Sequence, residues 1–169
     1  MNTEQQKIEY KSLQKIRTGE KGFKELSTTC VALANAQGGQ IMIGVEDKTK
    51  KPASNQVISQ EEANSAVTRL RGLCFNVGLA VGDVCADETG SQYFAITVFP
   101  SLHSYATTSD GKMYIRVADK CEPVRSEDIQ RVGEEKGAFQ WELVPTRFEL
   151  DDENKTNLSK FANDIRQSD

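Results

Sequence analysis

Apolar residues fall at helical spacing over Gly22 to Asn35, where Phe23, Leu26, Cys30, Leu33 and Ala34 share one face. Asn35 and the Gly38-Gly39 pair tolerate positive φ and are expected to end that helix. The period then changes. Ile41-Met42-Ile43-Gly44-Val45 is an apolar run without polar alternation, which predicts a strand over Gln40 to Val45 buried on both faces.

Upstream, Ile8 to Lys11 reads as a short strand. Downstream, Ser59 and Glu62 form a capping box ahead of a second helical stripe of Ala63, Ala66, Val67, Leu70 and Cys74. Leu79 to Ala86 and Tyr93 to Phe99 read as a hairpin turned through Asp87-Glu88-Thr89-Gly90. Lys112 to Val117 alternates Met113, Ile115 and Val117 with polar or amphipathic residues, as a half-buried strand does. Ser126 is placed to cap a short helix reaching Val132, and Trp141 to Val144 reads as an edge strand. The order β-α-β-α-β-β-β-α predicts an α+β domain built on a single mixed sheet flanked by helices.

Residues 4–146 are taken as that domain, and residues 147–169 as an acidic extension. Leu158, Phe161, Ala162 and Ile165 give the extension a short amphipathic helix. From Glu149 to Asp169 six acids face three bases, whereas Met1 to Glu25 carries six bases and four acids. The overall charge of −4 is thus concentrated at the C-terminal end, and a basic face on the body is compatible with it. No apolar stretch approaches the roughly 20 residues that span a bilayer. The polar N-terminus has no secretory apolar core, so the expected compartment is the cytoplasm. There Cys30, Cys74, Cys85 and Cys121 are expected as free thiols, the first three buried in the fold. One histidine, His103, and no paired cysteines leave no zinc site.

Several motifs stand in a fixed order: Ile8-Glu9-Tyr10-Lys11, then C-V-A-L-A-N-A-Q-G-G-Q-I-M-I-G-V-E-D over Cys30 to Asp47, then Y-F-A-I-T-V-F-P over Tyr93 to Pro100, then D-G-K-M-Y-I-R-V over Asp110 to Val117. In this series the chain resembles the Schlafen AlbA-type domain family, from about Glu4 to Val144. Tyr10, Leu33, Ala36 and Glu46 depart from the family's usual Phe, Phe, Thr and Asp. The resemblance implies a Schlafen AlbA-like α+β fold. It also implies the N-terminal domain of a bacterial transcriptional regulator, followed in longer members by a C-terminal domain missing here.

Ribonuclease members of this family are metal-dependent endoribonucleases with two glutamates and a later aspartate. Glu4, Glu9 and Asp47 stand at the matching separations of 5 and 38 residues. The resemblance implies these three as catalytic residues and ligands of Mg²⁺ or Mn²⁺, since hard cations take carboxylate oxygens. The residues also have a plainer reading. Glu9 and Lys11 alternate on a strand and suit an ion pair, Asp47 suits a turn, and Glu4 and Glu9 point to opposite faces of any continuous strand.

Lys48, Lys50 and Lys51 follow Asp47 in a basic turn, and Lys11, Lys112 and Arg116 lie on strands. Together these six are the candidate phosphate contacts for DNA or RNA, with Tyr10, Tyr105 and Tyr114 as stacking surfaces for unpaired bases. Gly38-Gly39 follows a helix rather than opening one, so it reads as a helix stop and not as a phosphate loop. The leading expectation is a nucleic-acid-binding regulatory module. The alternatives are a metal-dependent endoribonuclease and an interaction module that homodimerises without touching nucleic acid.

Overall fold

Period-2 alternation along three strands sorts side chains between a helix-covered face and an open one. The computed structural model describes residues 7–135, together with Asn157 and Lys160. The chain divides into two compact units, Met1–Phe139 and Gln140–Asp169. In the second, both described residues are helical and exposed. The expected edge strand at Trp141 and the apolar stripe from Leu158 to Ile165 lie outside the described residues.

In the first unit β1 (Ile8–Lys11) runs parallel to β2 (Gly39–Ile43), and β2 runs antiparallel to β6 (Gln92–Phe99). On the far side of β6 lie β4 (Gly78–Val81) and then β5 (Cys85–Ala86), both antiparallel to it. The sheet is mixed and the fold is α+β, in the order β1-β2-β6-β4. Two short pairs stand apart: β3 (Cys74–Phe75) with β7 (Thr107–Thr108), and β8 (Tyr114–Val117) with β9 (Lys120–Pro123).

Helix α2 (Glu20–Asn35) and helix α3 (Gln60–Arg71) supply the covering layer. Their apolar faces meet Ile41, Ile43, Phe94, Ile96, Val98 and Leu79 in one core. Helix α1 (Gln14–Arg17) approaches α2 so closely that a Cβ on Gly22 would collide with the Lys15 carbonyl. That contact requires glycine.

Ser59 caps α3 as its pattern predicts, accepting from the Glu62 N–H at 3.0 Å. Glu62 does not close the reciprocal half of the box. Its carboxylate takes the Arg17 guanidinium at 2.8 and 2.9 Å.

The Gly38-Gly39 pair is a helix stop. Gly38 has φ +73° and donates to Leu33 O at 2.9 Å, and a Cβ on Gly39 would strike the Lys7 carbonyl of the neighbouring segment. Asn35 behaves differently from its expected turn role. It stays helical and buried. Its amide donates to Ala106 O at 2.8 Å and to Tyr114 O at 3.0 Å, while its oxygen accepts from Ala106 N at 2.9 Å. One side chain thus joins α2 to the 106 loop and to β8.

The hairpin over the Asp87 turn forms as expected, with Asp87 Oδ1 accepting from Thr89 N and Ser91 N. It carries a bulge: Gly82, Asp83 and Val84 oppose Phe94 and Ala95. Gln60 of α3 spans it, donating to Gly82 O and accepting from Val84 N. Arg71 donates to Leu79 O at 2.7 Å, so this sheet edge is partly covered by side chains.

Four expectations need correction. Strand β2 is not buried on both faces, because Ile41 and Ile43 are buried while Gln40 is exposed and Met42 half-exposed. Cys85 is exposed rather than buried, at an edge that the core does not reach, and Cys74 lies in β3 rather than on a helix face. Beyond β9 the chain enters a 3-10 turn (Ser126–Asp128) and then helix α4 (Ile129–Glu135), so Ser126 opens the turn and not the helix.

Candidate nucleic-acid interface

Strand register decides where each candidate side chain goes. Glu9 is paired with Ile41 and Lys11 with Ile43, so both project on the same side as the buried isoleucines. There Glu9 meets two cations. Its Oε1 lies 2.7 Å from Lys11 Nζ and its Oε2 2.6 Å from Arg116 Nη2. The Arg116 side chain is only 5% exposed, and its Nη1 donates toward Cys121 Sγ at 3.5 Å. Burial works against the charge on Arg116, but the hydrogen bond and field of Glu9 outweigh it and hold the guanidinium above its ordinary pKa. Its Nε is buried and has no hydrogen-bond partner among the described residues.

Asp47 lies in a different setting. It is 77% exposed and takes Lys50 Nζ at 2.6 Å, which holds the carboxyl below its usual range. Glu4 lies outside the described residues. The two described members of the acidic trio are therefore each paired with ammonium or guanidinium groups of the chain itself. Among the described residues no group of three His, Cys, Asp or Glu side chains could hold a metal ion.

The six candidate cations divide in the same way. Lys11 and Arg116 are held by Glu9, Lys50 by Asp47 and Lys112 by Asp110 at 3.1 Å. Lys48 and Lys51 are exposed and have no carboxylate within ion-pair distance among the described residues. The lysine turn follows β2 and is closed by an isolated bridge between Val45 and Pro52. Lys50, at φ +54°, folds back so that its Nζ lies 4.2 Å from the Tyr10 ring centroid.

That contact locates the turn. Tyr10 is paired with Met42, and Met42 with Ala95, so all three project on the face away from the helices. On this open face neither Tyr10, Met42, Ala95 nor Thr97 is fully buried, whereas Ile41, Ile43, Phe94 and Ile96 on the covered face are each 0% exposed. Lys50 of the basic turn therefore reaches over the open face. Tyr93, two residues before Ala95 in β6, belongs to the same face and was not among the sequence-derived candidates. The signal that identifies it is the parity shared with Ala95.

The other two tyrosines lie elsewhere. Tyr105 donates its hydroxyl to Ile129 O at 3.0 Å, and Tyr114 packs half-buried against the core. A cleft of about 230 Å³ opens on the covered side between Phe23, Lys24, Arg69 and Asp110, away from the candidate residues of the open face.

The family model for the Schlafen AlbA_2 domain matches residues 4–125. The chain belongs to the Schlafen AlbA_2 family. The family match takes in β1, the Asn35 clamp, the Gly38-Gly39 stop and the lysine turn, and it ends two residues past β9. Among solved structures the DIP2311 protein from Corynebacterium diphtheriae is similar, with a TM-score of 0.56 and 17% identity over 80% of this chain. The chain spans 25% of that protein's length, and at this identity the likeness concerns the fold. No curated protein matches the chain. Among the described residues no helix is long and apolar enough to cross a membrane.

Proposed function

We propose that this domain is a nucleic-acid-binding module, the N-terminal domain of a bacterial transcriptional regulator acting in the cytoplasm. Family membership makes it a nucleic-acid-related domain, and one observation carries the finer reading. Among the described residues Lys48 and Lys51 make no ion pair, on a turn whose Lys50 reaches over the open sheet face. Unpaired, solvated lysines release counterions from a phosphate backbone without first losing an internal partner. Lys50 can exchange Asp47 for a phosphate at small cost, because the pair is exposed. Arg116 has a structural role in this reading, as the buried partner of Glu9.

The test is binding of labelled transfer RNA and duplex DNA to the full chain at low salt, with Mn²⁺ or EDTA. Binding that weakens as salt rises, and that Lys48→Glu with Lys51→Glu weakens at least tenfold for every sequence tried, is expected. Absence of binding to any DNA or RNA at low salt would overturn the proposal and leave an interaction module. Mn²⁺-dependent cleavage lost in Asp47→Ala would instead make the domain an endoribonuclease.

A further inference from the structure

We infer that the open sheet face takes unpaired nucleotides, stacking bases on Tyr10 and Tyr93 while the Lys48–Lys51 turn holds the strand's phosphates; this rests on the nucleic-acid reading above. Three observations converge.

The first is placement. Tyr10 and Tyr93 are open-face residues of β1 and β6, separated by β2, and both are half-exposed. Across two inter-strand spacings of about 4.8 Å each, with a diagonal offset along the strands, two rings stand on the order of 10 Å apart. That suits successive or alternate bases of an extended strand. It does not suit a duplex, whose bases present only their edges.

The second is the state of the Tyr10 ring. The Lys50 ammonium already lies over it at 4.2 Å, so the ring's flat side is open to a group from above rather than packed under apolar atoms. A base can replace the ammonium on the ring, and the displaced lysine then lies beside the phosphate of that nucleotide. The exchange turns one internal contact into two ligand contacts.

The third is charge. Between the rings the face carries Met42 and Ala95, with Gln40 and Thr97 beyond them, and none of the open-face strand positions is Asp or Glu. The turn bearing Lys50 is lysine-rich. An apolar, carboxylate-free platform under a cationic rim complements a polyanion with exposed flat bases. An acidic or purely apolar protein partner would leave either the rings or the rim unmatched.

The experiment compares a 15-nucleotide single strand with its blunt duplex, as DNA and as RNA, by fluorescence anisotropy on the full chain at low salt. Tighter binding of the single strand, by about tenfold or more, is expected. Tyr10→Leu should weaken single-strand binding about tenfold and much more than it weakens duplex binding, and Tyr10→Phe should restore it. A 2-aminopurine base in the strand, with unmodified protein, should lose fluorescence on stacking, which keeps the test valid if a variant misfolds.

Equal affinity for strand and duplex, an unaltered Tyr10→Leu strand affinity, or no change in 2-aminopurine emission would each overturn the inference while the binding reading stands. A dimer by light scattering that excludes the oligonucleotide would overturn it too. If neither probe binds, both readings fall together.

Discussion

The two faces of the sheet are built from the same strands and differ in almost everything else. In β6, Phe94, Ile96 and Val98 are buried under α2 and α3, while the alternating Ala95, Thr97 and Phe99 face away, and Phe99 is 51% exposed. In β2, Ile41 and Ile43 face the helices and Met42 the opposite way. The covered face carries the folding free energy, because apolar area removed from water contributes about 25 cal/mol per Å². The open face contributes much less and can hold residues chosen for another purpose. Tyr10, Met42 and Tyr93 stand beside a lysine turn there, with no described helix over them.

The charged groups follow the same division. Glu9, on the covered side, is closed in by Arg116 and Lys11 and links β1 to β8. Asp47 and the lysines past β2 are solvated and exchangeable. Acids with matching sequence spacing thus end in opposite electrostatic settings.

The comparison is broken most forcefully from the covered side. Phe94→Ala should cost about 3–5 kcal/mol of stability in urea unfolding, whereas Thr97→Ala, three positions along the same strand on the other face, should stay within about 0.5 kcal/mol. Equal effects would mean that the open face is packed like the core. Glu9→Ala should cost about 3 kcal/mol, because it leaves Arg116 buried without a counter-charge; Asp47→Ala should leave the midpoint nearly unchanged. A harmless Glu9→Ala would move Glu9 from the structural class to the functional one. Asn35→Leu should cost about 1–3 kcal/mol for each backbone group it leaves unpaired, and amide exchange at Ala106 should quicken.

The smallest effect is a test of pH. Arg17 holds Glu62 below its ordinary value of 4.5, chiefly through their hydrogen bond. A depressed carboxyl stabilises the fold fully above its unfolded pKa, and loses that contribution as pH falls through the lower folded value. Arg17→Gln should therefore lower the melting temperature slightly at pH 7, by an amount matching about 0.5–1 kcal/mol, and the difference from wild type should shrink as pH falls below 4.5. A difference that persisted in acid would show that Arg17 acts through its hydrogen bond to Val57 O instead.

Much of the fold was legible because it rests on local rules. Helical spacing marked α2 and α3, Ser59 marked the start of α3, and the Gly38-Gly39 pair marked the end of α2. Strand β1 and the hairpin over Asp87 followed from alternation and turn chemistry. What escaped was either very short or dependent on distant partners. Four-residue α1, the β3–β7 pair and β9 have too few residues to show a period, and Asn35 looks like a turn former until Ala106 and Tyr114 are brought to it.

The candidate site was legible as a set of residues and not as an arrangement. Sequence alone determined the places of β1, α2 and α3, the Gly38-Gly39 stop, the family motifs and the clustering of lysines after β2, because backbone preference and period act over a few residues. Only the tertiary structure decided that Arg116 is a buried counter-ion, that Lys50 lies on Tyr10, and that Tyr93 joins Tyr10 while Tyr105 and Tyr114 do not. Those outcomes depend on which strands lie side by side and in what register. Pairings between residues 107 positions apart, as between Glu9 and Arg116, leave no local trace in the chain.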